Sequence, residues 1–251
     1  SKTIIKKVLS NSLFFSQIQS YDKNFKKKFI FLFNLYFIYN SNSIEGSKIS
    51  FGEVEKLISN KKSVHTNKNE IQEVRNSILC WEYLENDFKF NQLSIKKLHA
   101  ILTKNLYYND VPYFQGFKKK EIVVGFDNRA TTSPKNVRKE LKELLNWYKK
   151  NRKKDFSLTF AFDFYYKFEL IHPFEDGNGR IGRMLLNKIL SDLNLVPMII
   201  FSENSQSHHR AFVRRENGEK RYFYEFMFKQ YKKSFENVYF KEFEKYKKNL
   251  T

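Results

Sequence analysis

Apolar positions recur along most of this chain at the three- and four-residue spacing of helices that bury one face. Residues 2–20 are weakly amphipathic. Residues 22–39 open with lysines and run into an aromatic-aliphatic stretch from Phe29 to Tyr39, which reads as a helix buried over most of its surface. Val54, Leu57 and Ile58 predict a short helix behind a Ser50 cap, and residues 69–85 predict a longer one. A capping arrangement at Ser94 predicts another, ending near Leu106. Between 113 and 134 the helical period lapses. Ile122, Val123 and Val124 form a β-branched run closed by Gly125, and a turn-rich stretch to Pro134 follows, so a β-hairpin is expected. Leu141, Leu144, Leu145 and Trp147 restore the helical period over 137–148, before a basic loop at 149–154. Residues 156–170 read as a buried helix. Met184, Leu185, Leu186, Ile189, Leu190 and Leu193 mark a second, starting near Gly179. An apolar run at 198–201, a polar turn and an amphipathic stretch over 223–250 complete the chain. The class is all-α with one short hairpin.

Composition narrows this only a little. With 46 Lys and Arg against 27 Asp and Glu, the net charge is +19, which raises nucleic acid or an anionic membrane as partners. The lysines are spread along the chain among glutamates, and Lys, Asn, Phe, Tyr and Ile are abundant together, as codon bias produces. That argues against nucleic acid. The apolar run at 29–39 falls well short of the roughly 20 residues that span a bilayer. No signal peptide is read at the start, and a single cysteine, Cys80, sits among apolar neighbours. A cytoplasmic protein with no membrane partner is expected.

The chemistry concentrates in Ile171-His172-Pro173-Phe174-Glu175-Asp176-Gly177-Asn178-Gly179-Arg180-Ile181-Gly182-Arg183. Pro173 ends the first core helix, so these residues form a tight loop leading into a helix N-terminus. Unpaired amides and partial positive charge there suit a phosphate. Gly177 and Gly179 let an anion approach the backbone, and Asn178 between them is expected to take left-handed dihedrals that turn the amides inward. Arg180 and Arg183 share a helical face, where both could hold phosphate oxygens. Asp176 offers a hard oxygen to magnesium, and His172 suits a general base near neutral pH.

The run matches every specified position of the Fic signature, His-x-Phe-x-Asp/Glu-Gly-Asn-Gly-Arg-x-x-Arg, and resembles that family over about residues 41–235. The resemblance implies a Fic-type helical core and transfer of AMP from ATP, with Mg2+ or Mn2+, to a Ser, Thr or Tyr hydroxyl of a target protein. It gives His172 the role of base, Asp176 that of metal ligand, Gly177 to Gly179 that of anion hole, and Arg180 and Arg183 the outer phosphates. Upstream, Ser41-Asn42-Ser43-Ile44-Glu45-Gly46 reads as a helix end with Gly46 as a left-handed cap. It also resembles the family's inhibitory motif, Ser/Thr-x-x-x-Glu-Gly/Asn, in which Ser41 opens the pattern and Glu45 pairs with Arg183 in an N-terminal inhibitory helix over about 23–46. The resemblance makes the hairpin a flap (113–134) whose Ile122, Val123, Val124 and Gly125 would bind a target segment by strand addition. The arginine usual before that strand is replaced by Phe117-Lys118-Lys119-Lys120. His208-His209 stands where many relatives have two tyrosines lining the adenine pocket, with Asn217 or Glu216 as a further polar contact. No zinc-ligand spacing accompanies the two histidines.

Three ranges are expected: an N-terminal helical region (1–100), the core with flap and motif loop 172–183 (101–200), and a C-terminal helical region (201–251). The leading expectation is an auto-inhibited protein adenylyltransferase, with self-modification and a homodimer as open expectations. The alternatives are removal of AMP at the same site, transfer of another phosphate-containing group, an idle binding module, or a basic nucleic-acid-binding regulator.

Overall fold

The computed structural model describes residues 10, 23–125, 128–152, 157–242 and 244. The weakly amphipathic stretch over 2–20 and the hairpin tip at 126–127 therefore lie outside the described residues, Ser10 apart. So do the end of the basic loop and the last stretch of the chain.

Helix α1 (Lys23–Ile44) buries Phe25, Phe29, Phe33, Leu35, Phe37 and Ile38, so the apolar run packs into the interior. It ends at Gly46, with φ +99°. The Gly46 amide bonds the Ser43 carbonyl and the Ser47 amide bonds the Asn42 carbonyl. This is a left-handed C-terminal cap, which glycine adopts without the strain a β-carbon brings. Helix α2 (Phe51–Ile58) is capped by Ser50 as expected, and α3 (Lys68–Asn86) by Asn67. Helix α4 (Gln92–Leu102) departs from the reading. Asn91, not Ser94, is the cap, its Oδ1 accepting the Ser94 amide, and the helix closes at Thr103 rather than near Leu106.

Two small antiparallel hairpins follow, β1 (Tyr107–Tyr108) with β2 (Val111–Pro112), and β3 (Val123–Val124) with β4 (Arg129–Ala130). The second is the expected flap. The first was not legible, although Asn109 and Asp110, both at positive φ, supply a two-residue turn of the kind hairpins favour. Helices α5 (Val137–Asn151), α6 (Leu158–Ile171) and α7 (Asn178–Asp192) form the core, α6 and α7 packing closely along each other. Residues 198–201 are buried without helix or sheet. Asn187 bonds both polar main-chain groups of Met198, while Ser234 and Gln230 take the amides of Ile199 and Phe201.

A short 3-10 turn (Ser202–Asn204) leads to α8 (Ser205–Glu216), α9 (Lys220–Ser234) and one π turn (Phe235–Tyr239). The first described helix meets the π turn, Phe29 of α1 lying on Tyr239 at 4.8 Å between ring centroids. One hydrophobic core runs through all the helices. No described helix is long and apolar enough to cross a membrane, and Cys80 is buried, its thiol pushed well above the usual range by burial.

Candidate active site

His172 is the C-cap of α6, held at φ +48° with its amide bonded to the Phe168 carbonyl. The proline after it stops the helix, and the αL turn swings the imidazole out of the α6 row into a cavity of about 370 Å³. Burial first, then the Lys118 charge, lowers His172 to about 4, so the ring is neutral at physiological pH.

The loop from Pro173 to Gly177 is pinned from inside. Asn178 Oδ1 accepts the Phe174 amide and its Nδ2 donates to the Phe174 carbonyl, both at 2.9 Å. This corrects the sequence expectation. Asn178 is the first residue of α7, and the left-handed residue is Gly177 at φ +78°. The amide side chain clamps the loop, which leaves the positive φ to the residue with no β-carbon. His99 of α4, unnoticed in the sequence, stacks on Phe174 at 3.8 Å and meets the Asp176 carbonyl through Nε2 at 3.0 Å.

The two arginines point to different acids. Arg180 Nη1 donates to Glu73 Oε1 of α3 at 2.6 Å, and its Nη2 approaches Asp176 Oδ2 at 3.4 Å. Glu73 also escaped the sequence reading, since a lone glutamate on an amphipathic helix carries no signal. Arg183 Nη2 donates to Glu45 Oε1 at 2.6 Å, its Nε to Ser41 Oγ at 2.9 Å, and Nη2 also to the Ser41 carbonyl at 3.0 Å. The end of α1 thus supplies three acceptors to one guanidinium. Burial alone would raise the Glu45 carboxyl, but Arg183 and Arg180 outweigh it and hold it below its ordinary value. Glu45 lies across the first turn of α7. A β-carbon at Gly179 would collide with its Oε1, so glycine there admits the carboxylate to the helix N-terminus, where its charge is favoured.

Asp176 sits at the head of this turn with its side chain 43% exposed, Oδ1 accepting the Gly177 amide at 2.7 Å. An accessible hard carboxylate beside a helix N-terminus fits magnesium, which takes one or two carboxylates and completes its shell with phosphates and water. Among the described residues no cluster of three or more acidic, histidine or cysteine groups forms a protein-only cage.

The cavity wall contains His172, Glu45, Gly179 and Arg183, flap residues Val124, Gly125 and Arg129, and His208, His209 and Phe212 of α8. Tyr165 hydroxyl and His208 Nε2 stand 3.1 Å apart, and burial, then Arg183, drives His208 down to about 3. Asn217 caps α8 and is not among the lining residues; Arg129, bonded to Glu216 at 3.1 Å, takes that side of the wall. Ile122 and Val123 also lie off the cavity. The Ile122 carbonyl accepts the Thr131 hydroxyl, and Val123 is 55% exposed. The lysine in the place of the expected arginine is a buried strut. Lys118 Nζ donates to Thr131 Oγ1 at 2.6 Å and reaches the Ile171 carbonyl at 3.4 Å, and its amide bonds Pro173. The Thr132 amide bonds the Leu170 carbonyl, so the flap rests on the end of α6, one residue from His172.

Residues 89–190 match the Fic/DOC family model. A probable protein adenylyltransferase of Aquifex aeolicus is 31% identical over 104 residues, 41% of this chain and 32% of that protein. A protein adenylyltransferase Fic of Nematostella vectensis is 24% identical over 194 residues, 76% of this chain and 45% of that protein. The chain thus spans less than half the length of these curated relatives. Among solved structures, a Fic domain containing signaling protein from Bacteroides thetaiotaomicron superposes with a TM-score of 0.78 at 20% identity, covering 92% of this chain and 93% of its own. Fic-1 from C. elegans gives 0.75 at 22%, covering 94% and 70%. The motif loop between α6 and α7 lies inside the residues that match the Fic/DOC family model, and the surrounding helices share the fold of solved Fic proteins, so residues 89–190 of this chain carry a Fic/DOC domain.

Proposed function

We propose that this chain is a protein adenylyltransferase held inactive by its own Glu45. The observation that carries the reading is the Glu45 carboxylate on Arg183, across the first turn of α7 and inside the cavity that His172 lines. An anion already occupies the place where a nucleotide's outer phosphates would meet the helix N-terminus.

With Glu45 withdrawn, the phosphates of ATP would lie on the amides of Gly177 to Gly179, with Arg183 and Arg180 as clamps. Asp176 would hold the Mg2+ or Mn2+ ion, which supplies neutralising charge to the phosphates when bound. The base would enter the pocket of His208, His209 and Phe212. A target segment would add to the flap edge by strand pairing, which sets its register through main-chain bonds. Its hydroxyl gives its proton to Nε2 of the neutral His172. The oxygen then bonds the α-phosphorus, and pyrophosphate leaves with the electron pair of the broken bond. The reverse task, releasing AMP from a target, is a second reading. It is favoured by the ionised Glu45 carboxylate sharing the cavity with His172, where it could orient a water.

The test uses the Glu45→Gly variant with ATP, CTP, GTP or UTP labelled at the α-phosphate. Label from ATP is expected on protein, falling about 10²- to 10⁴-fold when His172→Ala is added, the usual contribution of a general base. Label only from another nucleotide, or undiminished label without His172, would overturn the assignment.

A further inference from the structure

Glu169 lies one helical turn before His172 on α6. Its side chain is 12% exposed, and its Oε1 makes no hydrogen bond. Facing it on α7 is Gly182, where a β-carbon would collide with that same Oε1 and crowd Tyr165. The other oxygen, Oε2, stands 3.9 Å from Nδ1 of His172. That nitrogen is also buried without a hydrogen bond of ordinary geometry. A buried carboxylate and a buried ring nitrogen left unpaired side by side are each costly. Closing the gap by about 1 Å would bring them to normal hydrogen-bond distance.

We propose that Glu169 is the positioning residue of the base: its carboxylate receives the hydrogen bond of the His172 Nδ1 proton, keeps the Nε2 lone pair free, and stabilises the imidazolium as it forms. The inference rests on His172 acting as the base. In the step, the hydroxyl proton moves to Nε2, the hydroxyl oxygen bonds the α-phosphorus, and the pyrophosphate oxygen takes the electron pair of the bond that breaks. Glu169 exchanges no proton. Gly182, with no β-carbon, leaves room for the carboxylate beside the ring at the wall of the same cavity.

The charges around the pair come from four elements. His172 is faced by the charges of Lys118 before the flap, Glu45 of α1 and Arg129 of β4, and by the main-chain carbonyl of Glu169. Glu169 is faced by Arg183 of α7, Glu45 and Arg129. Burial first, and the Glu45 charge with it, pushes the Glu169 carboxyl up to about 7 against the pull of Arg183 and Arg129. The acid therefore ionises across neutral pH, and its help to His172 arrives over the same range.

The experiment compares Glu169→Gln and Glu169→Asp in the Glu45→Gly background. Glu169→Gln should lower kcat for AMP transfer at least about ten-fold, part of what a general base supplies, with KM for ATP little changed. The parent's rise of kcat with the ionisation of Glu169 should vanish in Glu169→Gln, and Glu169→Asp should recover part of the rate. Independently of transfer, the imidazole nitrogen resonances of His172, assigned by their loss in His172→Ala, should shift as Glu169 ionises in the parent, at a lower pH than in the protein that keeps Glu45, and not in Glu169→Gln. An unchanged rate and pH profile, or a His172 titration identical in both proteins, would overturn the proposal. Absence of transfer in the Glu45→Gly parent would instead defeat the adenylyltransferase reading, and the resonance titration would still decide the role of Glu169.

Discussion

At the scale of single residues, the site is distinguished by imidazoles kept neutral. In the unfolded chain His208 takes a proton near its ordinary value, about 6.5, but in the folded protein only near 3. Between those values the unfolded state binds more protons, so stability rises with pH across the window. At about 1.4 kcal/mol per pKa unit, the effect of this one ring is a few kcal/mol. His172 acts in the same direction between about 4 and 6.5. Glu169 acts against them, since its raised value withdraws stability as pH climbs to about 7. His208→Tyr should therefore flatten the fall in Tm between pH 6.5 and 4; a fall as steep as the parent's would mean that burial does not hold His208 neutral. The residues whose placement was legible, His172, Asp176, Arg180 and Arg183, lie within one short motif whose spacing fixes a loop and a helix start. Glu73, His99 and Lys118 reach the same site from other elements, and Glu169 from one turn before His172 on α6, and singly each looks like an ordinary helix or loop residue. Asn178 was misread because its neighbours are glycines. Its amide is used as a clamp, a role that dihedral preference alone does not announce.

At the scale of elements, the long helix α1 delivers Glu45, and what fixes α1 determines how firmly Glu45 is held. Asn40, in the last two turns of α1, accepts the Ser202 amide at 2.9 Å and the Ser202 hydroxyl at 3.2 Å. It ties the end of α1 to the turn that leads into α8. Each such bond contributes about 0.5–1.5 kcal/mol net. Asn40→Ala should loosen the latch without removing the acid, so basal transfer should rise a few-fold, less than in Glu45→Gly. Initial rates of α-phosphate labelling would show it, and unchanged rates would mean that α1 is held elsewhere. The helix positions were readable because their apolar period is strong. The ends were less so. Asn91 in place of Ser94, and the unforeseen β1–β2 hairpin, both depend on side-chain bonds and turn dihedrals that compete over a few residues. The last turn of α1 answers two readings at once, with Gly46 capping the helix and Glu45 meeting the cation that its position there requires.

At the scale of the whole molecule, the proposed inhibitor cannot be separated from the core. Each buried Phe, Leu or Ile contributes about 1.5–3 kcal/mol, and α1 buries six of them. Total stabilities of domains are only about 5–15 kcal/mol. Removal of residues 1–46 should therefore give an unfolded or aggregated protein, whereas Glu45→Gly should keep the parent's helical circular dichroism. A folded truncated chain would show that α1 is an appendage. The net charge of +19 belongs to this scale too, but the site uses its cations locally, with Arg180 and Arg183 each committed to an acid from another helix. The central claim, that Glu45 holds Arg183 away from a nucleotide, is tested most directly by the rate of AMP incorporation from α-labelled ATP in Glu45→Gly and Arg183→Ala beside the parent. Site-to-site couplings of about 1–3 kcal/mol correspond to about 5- to 150-fold, so Glu45→Gly should label at least several-fold faster. Arg183→Ala should not, because it deletes the phosphate clamp together with the inhibitor's partner. Equal rates in Glu45→Gly and the parent, or equal activation by Arg183→Ala, would contradict the account.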